Sequence, residues 1–141
     1  MYILTFIDVF TRKSWIFLLK NKSKVPRTII NFFTYLNNQF YYKIKTFLSG
    51  QGTEYNNKKV LNYCKEHGII KSFSPYNPQN NGIAERYNYT IVSYAKTLIQ
   101  WNKMSSEFWD YATKYANLLC NITPIKELKT KFQMKSIITK R

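Results

Sequence analysis

Residues 44–73 read IKTFLSGQGTEYNNKKVLNYCKEHGIIKSF, and the order of patterns within them decides the fold. Residues 44–49 are a short run of β-forming side chains, which reads as a strand. Gly50, Gln51, Gly52 and Thr53 form a turn-prone break. Across residues 57–67, Val60, Leu61 and Cys64 recur on one helical face, and Gly68 supplies the stop. Residues 69–73 return to strand character. Strand, helix and strand in that order predict two parallel strands joined by a crossover.

Upstream, residues 2–9 and 14–19 (SWIFLL) are two β runs separated by the reversal Phe10-Thr11-Arg12-Lys13, so an antiparallel hairpin is expected. A helix follows from Ser23, with Pro26 tolerated in its first turn and Ile29, Ile30, Phe33, Leu36 and Phe40 at helical spacing. Downstream, SPYNPQNNG (74–82) reads as a loop and residues 83–101 as a long helix with Ile91, Tyr94, Ala95 and Leu98 inward. Residues 105–119 read as another helix, with Phe108, Trp109, Ala112, Tyr115, Ala116 and Leu119 inward. Residues 121–141 are basic and weakly patterned, and a loose tail is expected there. Trp15, Trp101 and Trp109 read as core or partly buried aromatics. There is no repeat and no linker. Alternating strands and helices after a hairpin define an α/β domain with a mixed sheet. The working site of such a sheet lies outside the strand C-termini, which directs attention to the loop after Ser49 and to residues 81–86.

The chain has 141 residues, one domain's length, and 45% hydrophobic residues, enough for a real core. No apolar run approaches the roughly 20 residues of a membrane helix, and no secretory leader pattern is visible. Cys64 and Cys120 are too few for a disulfide framework, and a single histidine, His67, excludes His-rich metal sites and argues against a Ser-His-Asp triad. Lys and Arg total 22 against 7 acids, a net charge of +15, which fits a polyanion partner and nucleic acid first. A plainer source competes: a chain crowded with Lys, Asn, Ile, Tyr and Phe is what an AT-rich coding sequence also produces.

FIDVFTRKSWIFLLKNKS, IKTFLSGQGTEYNN, CKEHGI, SPYNPQNNGIAERYNYT and FWDYATKYANLLCNITP follow one another in order from residue 2 to residue 124. Together they resemble the integrase catalytic core of a copia-type retrotransposon, a relative of retroviral integrases. The resemblance implies a ribonuclease-H-like fold and polynucleotidyl transfer as part of a Pol polyprotein. It implies a catalytic domain over 1–124 and a basic, weakly structured tail over 125–141. It also implies three carboxylates holding two divalent cations, Mg2+ or Mn2+. The physical requirement is plain: two hard cations held close together need several anionic oxygens, and they then activate the attacking oxygen and neutralise the phosphate.

Carried over position by position, the resemblance places the family's glutamate at Glu85 in GIAER, in the first turn of the long helix. Glu85 would be the remaining catalytic and metal-ligating acid. On its own it would read as an acid placed favourably at a helix start. The second acid position falls on Gly50, which offers no ligand. Glu54 is a loop acid and no obvious replacement. The first acid belongs to a strand before the opening hairpin, so the family's first strand is expected to be missing and an apolar edge to be exposed. Asp8 matches a non-catalytic position and reads as a turn acid pairing with Arg12 or Lys13; Asp110 matches none. One carboxylate of three implies a catalytically inactive chain. The separation from Gly50 to Glu85, 35 residues, is one shorter than the family's common spacing.

The same resemblance implies DNA as partner, held through sequence-independent and salt-sensitive contacts. Candidate contacts are Lys43 and Lys45 before the Gly50 loop, Lys58 and Lys59 after it, and Gln79, Asn80, Asn81 and Arg86 around the motif. For any single lysine, a solvated surface is the plainer reading. A homo-oligomer is a further expectation, and no membrane contact is expected. The implied location is the nucleus or the cytoplasm, with no targeting signal seen. The competing reading is a domesticated module that keeps the fold as a docking surface for protein or DNA.

Overall fold

The computed structural model describes residues 1–39, 43–50, 52–73, 78–123 and 134–140, and the side chains of all these except 78–81 and 134–140. Its elements are β1 (Tyr2–Asp8), β2 (Ser14–Leu19), α1 (Val25–Gln39), β3 (Thr46–Ser49), α2 (Lys58–Glu66), β4 (Ile70–Phe73), α3 (Pro78–Trp101), α4 (Trp109–Ile122) and β5 (Met134–Lys140). Short 3-10 turns at Lys22–Lys24 and Ser106–Phe108 lead into α1 and α4. The mixed α/β class is the one the sequence predicts.

Local chemistry explains each boundary. Asp8 builds the β1–β2 reversal: its carboxylate accepts from Phe10 N at 3.3 Å, from Thr11 N at 3.0 Å and from the Thr11 hydroxyl. Arg12 completes the turn with φ 61°, in the left-handed region. Asp8 therefore is a turn acid, as expected, but it is held by backbone amides and a hydroxyl. Asn57 caps α2 by accepting from Lys59 N at 2.9 Å, and Gly68, at φ 66°, ends the segment where only glycine is comfortable. In α3 the structure differs from the expected loop over 74–82. Pro78 opens the helix, since a missing N–H and a fixed φ suit the first helical position. Residues 74–77 lie outside the described ones.

The five strands form one sheet in the order β2-β1-β5-β3-β4. β1 pairs antiparallel with β2 and with β5, while β3 runs parallel to β4 and to β5. The expected apolar edge on β1 is thus absent: β5 lines it from Tyr2↔Lys140 to Asp8↔Met134. The tail expected to be loose supplies this central strand, because pairing on both sides outweighs its weak intrinsic pattern. Side chains alternate across β1. Leu4 and Phe6 join α1, α2 and β3 in an aromatic core on one face. Ile3, Thr5 and Ile7 are equally buried on the other, where α3 packs.

The first face explains the aromatic content. Phe6 lies 4.6 Å from Phe32 between ring centroids, and Phe33 meets Phe47 edge-on at 5.0 Å. Such contacts add to area burial. α1 contributes Val25, Ile29, Phe32, Phe33 and Leu36 to it. On the second face α3 and α4 pack as a hairpin around Ala95, Trp109 and Ala112. Some inward assignments fail here: Tyr94, Phe108 and Tyr115 are exposed, and Trp101 is 85% exposed rather than partly buried. The reason is that these helices carry apolar residues on two faces, so helical spacing alone cannot say which face turns inward.

Candidate functional site

β3, β4 and β5 run parallel, so their C-terminal ends share one edge of the sheet. Gly50 follows β3 there, beside Phe73, the partner of Ser49. α2 and α3 both start from this edge, after β3 and after β4. The end of β2 and the start of β1 lie there too, through the pairs Tyr2↔Leu19 and Tyr2↔Lys140. This is the edge at which a ligand site of an open α/β sheet is built.

Gly50 is half-buried, and a Cβ added to it would meet nothing within 4 Å. The position has room for a carboxylate and lacks one. The strand beside it is β5, whose Ser136 stands opposite Ser49, and its sequence MKSIITK carries no acid. Glu85 sits on α3 seven residues after the helix start, exposed, and not in the first turn as expected. The acid in the loop after β3 is engaged. Glu54 pairs with Lys22 at 3.2 Å and is 13% exposed, and its carboxylate lies over Gly52, where a Cβ would come within 2.6 Å of it. Asp8 lies at the opposite edge, where it is spent on its turn. Among the described residues there is no group of three His, Cys, Asp or Glu side chains able to hold a metal. The donors of the described residues do not by themselves assemble a site for a pair of divalent cations.

Two polar clusters fix these segments, one at this edge and one at the opposite edge, where β2 begins. Lys71 on β4 reaches into the loop after β3, donating to the Tyr55 carbonyl and to Asn56 Oδ1 at 2.8 Å, with Nζ 4.6 Å from the Phe73 ring centre. Burial lowers its pKa, and the nearby Cys64 partly offsets this. The second cluster ties α3 to the hairpin. The buried Ser14 hydroxyl meets Tyr87 OH and lies 2.9 Å from Asn117 Oδ1 and 3.0 Å from Asn121 Oδ1. Ser14 N donates to Asn121 Oδ1 and Asn121 Nδ2 donates back to the Ser14 carbonyl, both at 2.9 Å. Tyr87, two residues from Glu85, has its pKa pushed up to about 12, chiefly by burial. The orientation of the Glu85 turn is thus set by β2 and α4.

The structure divides the candidate DNA contacts. Lys58 and Lys59 open α2, exposed, on the Gly50 side of the sheet. Lys43 and Lys45 precede β3 and sit at the opposite edge, where Lys45 O accepts from Ile70 N at the start of β4. Gln79, Asn80 and Asn81 belong to the first turns of α3, not to a loop, and their side chains lie outside the described ones. Arg86 is exposed and folds back so that Nε donates to Gly82 O at 2.9 Å. Lys20 and Lys22, just past β2, and Lys140, closing β5, were not among the candidates, yet they share the Gly50 edge. Only strand order could have found them, because they lie more than a hundred residues apart in sequence at the extremes.

A family model, described as integrase core domain, matches residues 1–78. A retrovirus-related Pol polyprotein from transposon TNT 1-94 of Nicotiana tabacum is 36% identical over 87% of this chain. The corresponding polyprotein from transposon RE1 of Arabidopsis thaliana is 37% identical over 94%. The chain spans about 9% of the length of each. Among solved structures, the catalytic core domain of BIV integrase matches with a TM-score of 0.63 at 17% identity, over 86% of this chain and 75% of that one. The HTLV-2 integrase catalytic core domain in complex with magnesium matches at 0.61 and 16%, over 82% and 70%. These structural likenesses speak to the fold.

Proposed function

The chain belongs to the integrase core domain family, and from that membership we propose that, as part of a copia-type Pol polyprotein, it holds DNA without transferring strands. The observation that carries this reading is Gly50, which stands with open space around it at the strand end where the family resemblance calls for an acid. Further support comes from β5, an acid-free strand beside it, and from the prior engagement of Glu54. Polynucleotidyl transfer depends on charge neutralisation at the phosphate, and one exposed glutamate does not supply the donors for it. DNA contact asks for less. Lys20, Lys58 and Lys59 leave the Gly50 edge basic and exposed, and Arg86 adds an exposed cation further along α3, which suits phosphate contact without base readout.

Strand-transfer assays on a pre-processed DNA end, with Mg2+ or Mn2+, are expected to give no product. Turnover that disappears in Glu85→Gln would overturn the inactive reading. Gly50→Asp is expected to fold normally and to remain inactive, because the neighbouring strand still lacks an acid. With about four phosphate contacts, DNA affinity should fall roughly a hundredfold between 50 and 200 mM salt. A flat response removes the phosphate-binding claim. The nucleus or the cytoplasm remains the proposed location; among the described residues no helix is long and apolar enough to cross a membrane.

A second reading, a docking module, is favoured by one feature. Phe108, Tyr111, Tyr115, Leu118 and Ile122 form an exposed stripe at alternating spacings of three and four along α4 and the 3-10 turn before it. None is charged, in a chain of net charge +15, so this is where two copies could meet with least repulsion. Metal-independent dimerisation without DNA affinity would favour that module over the DNA-holding core.

A further inference from the structure

β2 lies at the end of the sheet: β1 pairs with it on one side, and among the described residues no strand pairs with it on the other. The ladder decides which of its backbone groups face outward. Asp8 N donates to the Lys13 carbonyl at 2.9 Å, so residue 13 turns its peptide groups towards β1. Bonded and non-bonded pairs alternate along an antiparallel ladder. With the register Phe6↔Trp15 and Leu4↔Phe17, the peptide groups of Trp15, Phe17 and Leu19 face β1. Those of Ser14, Ile16 and Leu18 point away from it.

The first of these outward residues is already served. The Asn121 side chain accepts from Ser14 N and donates to the Ser14 carbonyl, both at 2.9 Å, as the backbone of a next strand would. One amide side chain thus stands in for one residue of a neighbouring strand and closes the edge at that end. Ile16 and Leu18 have no such backbone partner among the described residues. Their side chains are half-buried, as are those of Trp15 and Phe17 on the other face. Exposed edges are commonly blunted by charges, prolines or bulges. SWIFLL has neither charge nor proline, and its register with β1 is unbroken.

The surroundings select the occupant. No acid occurs from residue 9 to residue 53. Arg12 and Lys13 precede the strand, and the exposed Lys20 and Lys24 follow it. A DNA backbone accepts hydrogen bonds and donates none, so it would leave the Ile16 and Leu18 carbonyls unserved. A second copy pairing its own β2 about Phe17 would bring the cations of one strand against those of the other at both ends, and like charges placed opposite are destabilising. An extended peptide with acids at its ends satisfies both demands.

We propose that the open edge of β2 is a docking site for an extended acidic peptide of a partner protein, which adds to the sheet beside Ile16 and Leu18. Main-chain bonds to these two residues supply the affinity, and alternate side chains of the peptide lie beside Trp15 and Phe17 on one face and Ile16 and Leu18 on the other. The flanking cations select its acids and speed its approach. The inference rests on the β2 edge alone and not on the DNA-holding reading.

The test follows backbone amide exchange in the full chain by NMR. The probe is a peptide of five alternating valines and threonines with two acids at each end. In the free chain, the amides of Ile16 and Leu18 should exchange at least about tenfold faster than those of Trp15 and Phe17, which are bonded to β1. Saturating peptide should slow Ile16 and Leu18 by about tenfold or more. Replacing the peptide's acids with lysines should weaken it at least about tenfold. N-methylation of its pairing amides should do the same. On the protein side, Leu18→Pro removes an outward N–H and no ladder bond, a change that edge strands tolerate, and should weaken the peptide by a similar factor. Should that chain fail to fold, the N-methylated peptide decides the same point. Ile16 and Leu18 amides already protected in the free chain overturn the proposal, because the edge is then covered. So does a lack of added protection at about 1 mM peptide. So does equal binding of the lysine or the N-methylated peptide, or a DNA duplex that protects the same two amides.

Discussion

α1 and α4 are helices of similar length that lie on opposite faces of the same sheet, and they treat apolar residues differently. α1 buries Val25, Ile29, Phe32, Phe33 and Leu36 and turns Arg27, Asn31, Thr34 and Asn38 outward, with Tyr35 the exception. α4 buries Trp109, Ala112, Thr113 and Ala116 and turns Tyr111, Tyr115, Leu118 and Ile122 outward. The first is an ordinary amphipathic helix whose partner is its own chain. The second is apolar on two sides, which in a globular protein marks a helix with more than one neighbour. The difference teaches that the aromatic core on the α1 side is self-sufficient, while the α4 side holds its place by polar pins as well as packing.

The sharpest way to break this contrast is Phe33→Ala. Phe33 is fully buried against Phe6 and Phe47, so truncation should cost about 3–5 kcal/mol in urea unfolding, whereas Tyr111→Ala should stay within about 0.5 kcal/mol. Next in size is Ser14→Ala, which leaves Tyr87, Asn117 and Asn121 short of a partner between β2, α3 and α4. It should cost about 1–1.5 kcal/mol, because each loses the Ser14 hydroxyl but keeps another bond, Tyr87 OH to Asn117 and the residue-14 backbone to Asn121. A smaller effect appears in alkali. The pKa of Tyr87 is raised to about 12 in the folded chain from an unfolded value of 10.0, so its neutral form is favoured by folding. Its contribution is fully present below pH 10.0 and is lost as pH rises towards 12. The pH dependence of stability should accordingly be flatter over that window in Tyr87→Phe. The smallest expected change in stability sharpens the comparison from the other side. Tyr115→Lys combined with Leu118→Lys should leave unfolding within about 0.5 kcal/mol, while self-association measured by sedimentation weakens at least about tenfold if the stripe joins two copies.

Much of the α1 side was legible in sequence because its signals are local. The hairpin over residues 2–19 announces itself by two β runs and a turn, and α1 by its spacing of Ile29, Phe33 and Leu36. The crossover over 44–73 was legible for the same reason. β5 was not. Met-Lys-Ser-Ile-Ile-Thr-Lys has no clean alternation, and it becomes a strand because two edges await it. The candidate site was half legible. Gly50 and Glu85 stand out through the motifs around them. That Lys20 and Lys22 share the Gly50 edge while Lys43 and Lys45 do not is a property of strand direction, and spacing along the chain cannot convey it. Nor could spacing show that Ser14, Tyr87, Asn117 and Asn121 converge, since each alone reads as an ordinary polar residue.

Pairing Tyr2 with Lys140 sets a condition on biosynthesis. A nascent chain leaves the ribosome from its N-terminus, and the tunnel withholds the most recent residues. The hairpin and α1 can form early, but the β1/β3 gap cannot be bridged by β5 until residue 140 is outside. Until then two backbone edges stand open to any extended segment nearby, and contacts this distant in sequence form slowly. The interval before residue 140 emerges is thus when this domain is most exposed to mispairing and to the chaperones that prevent it.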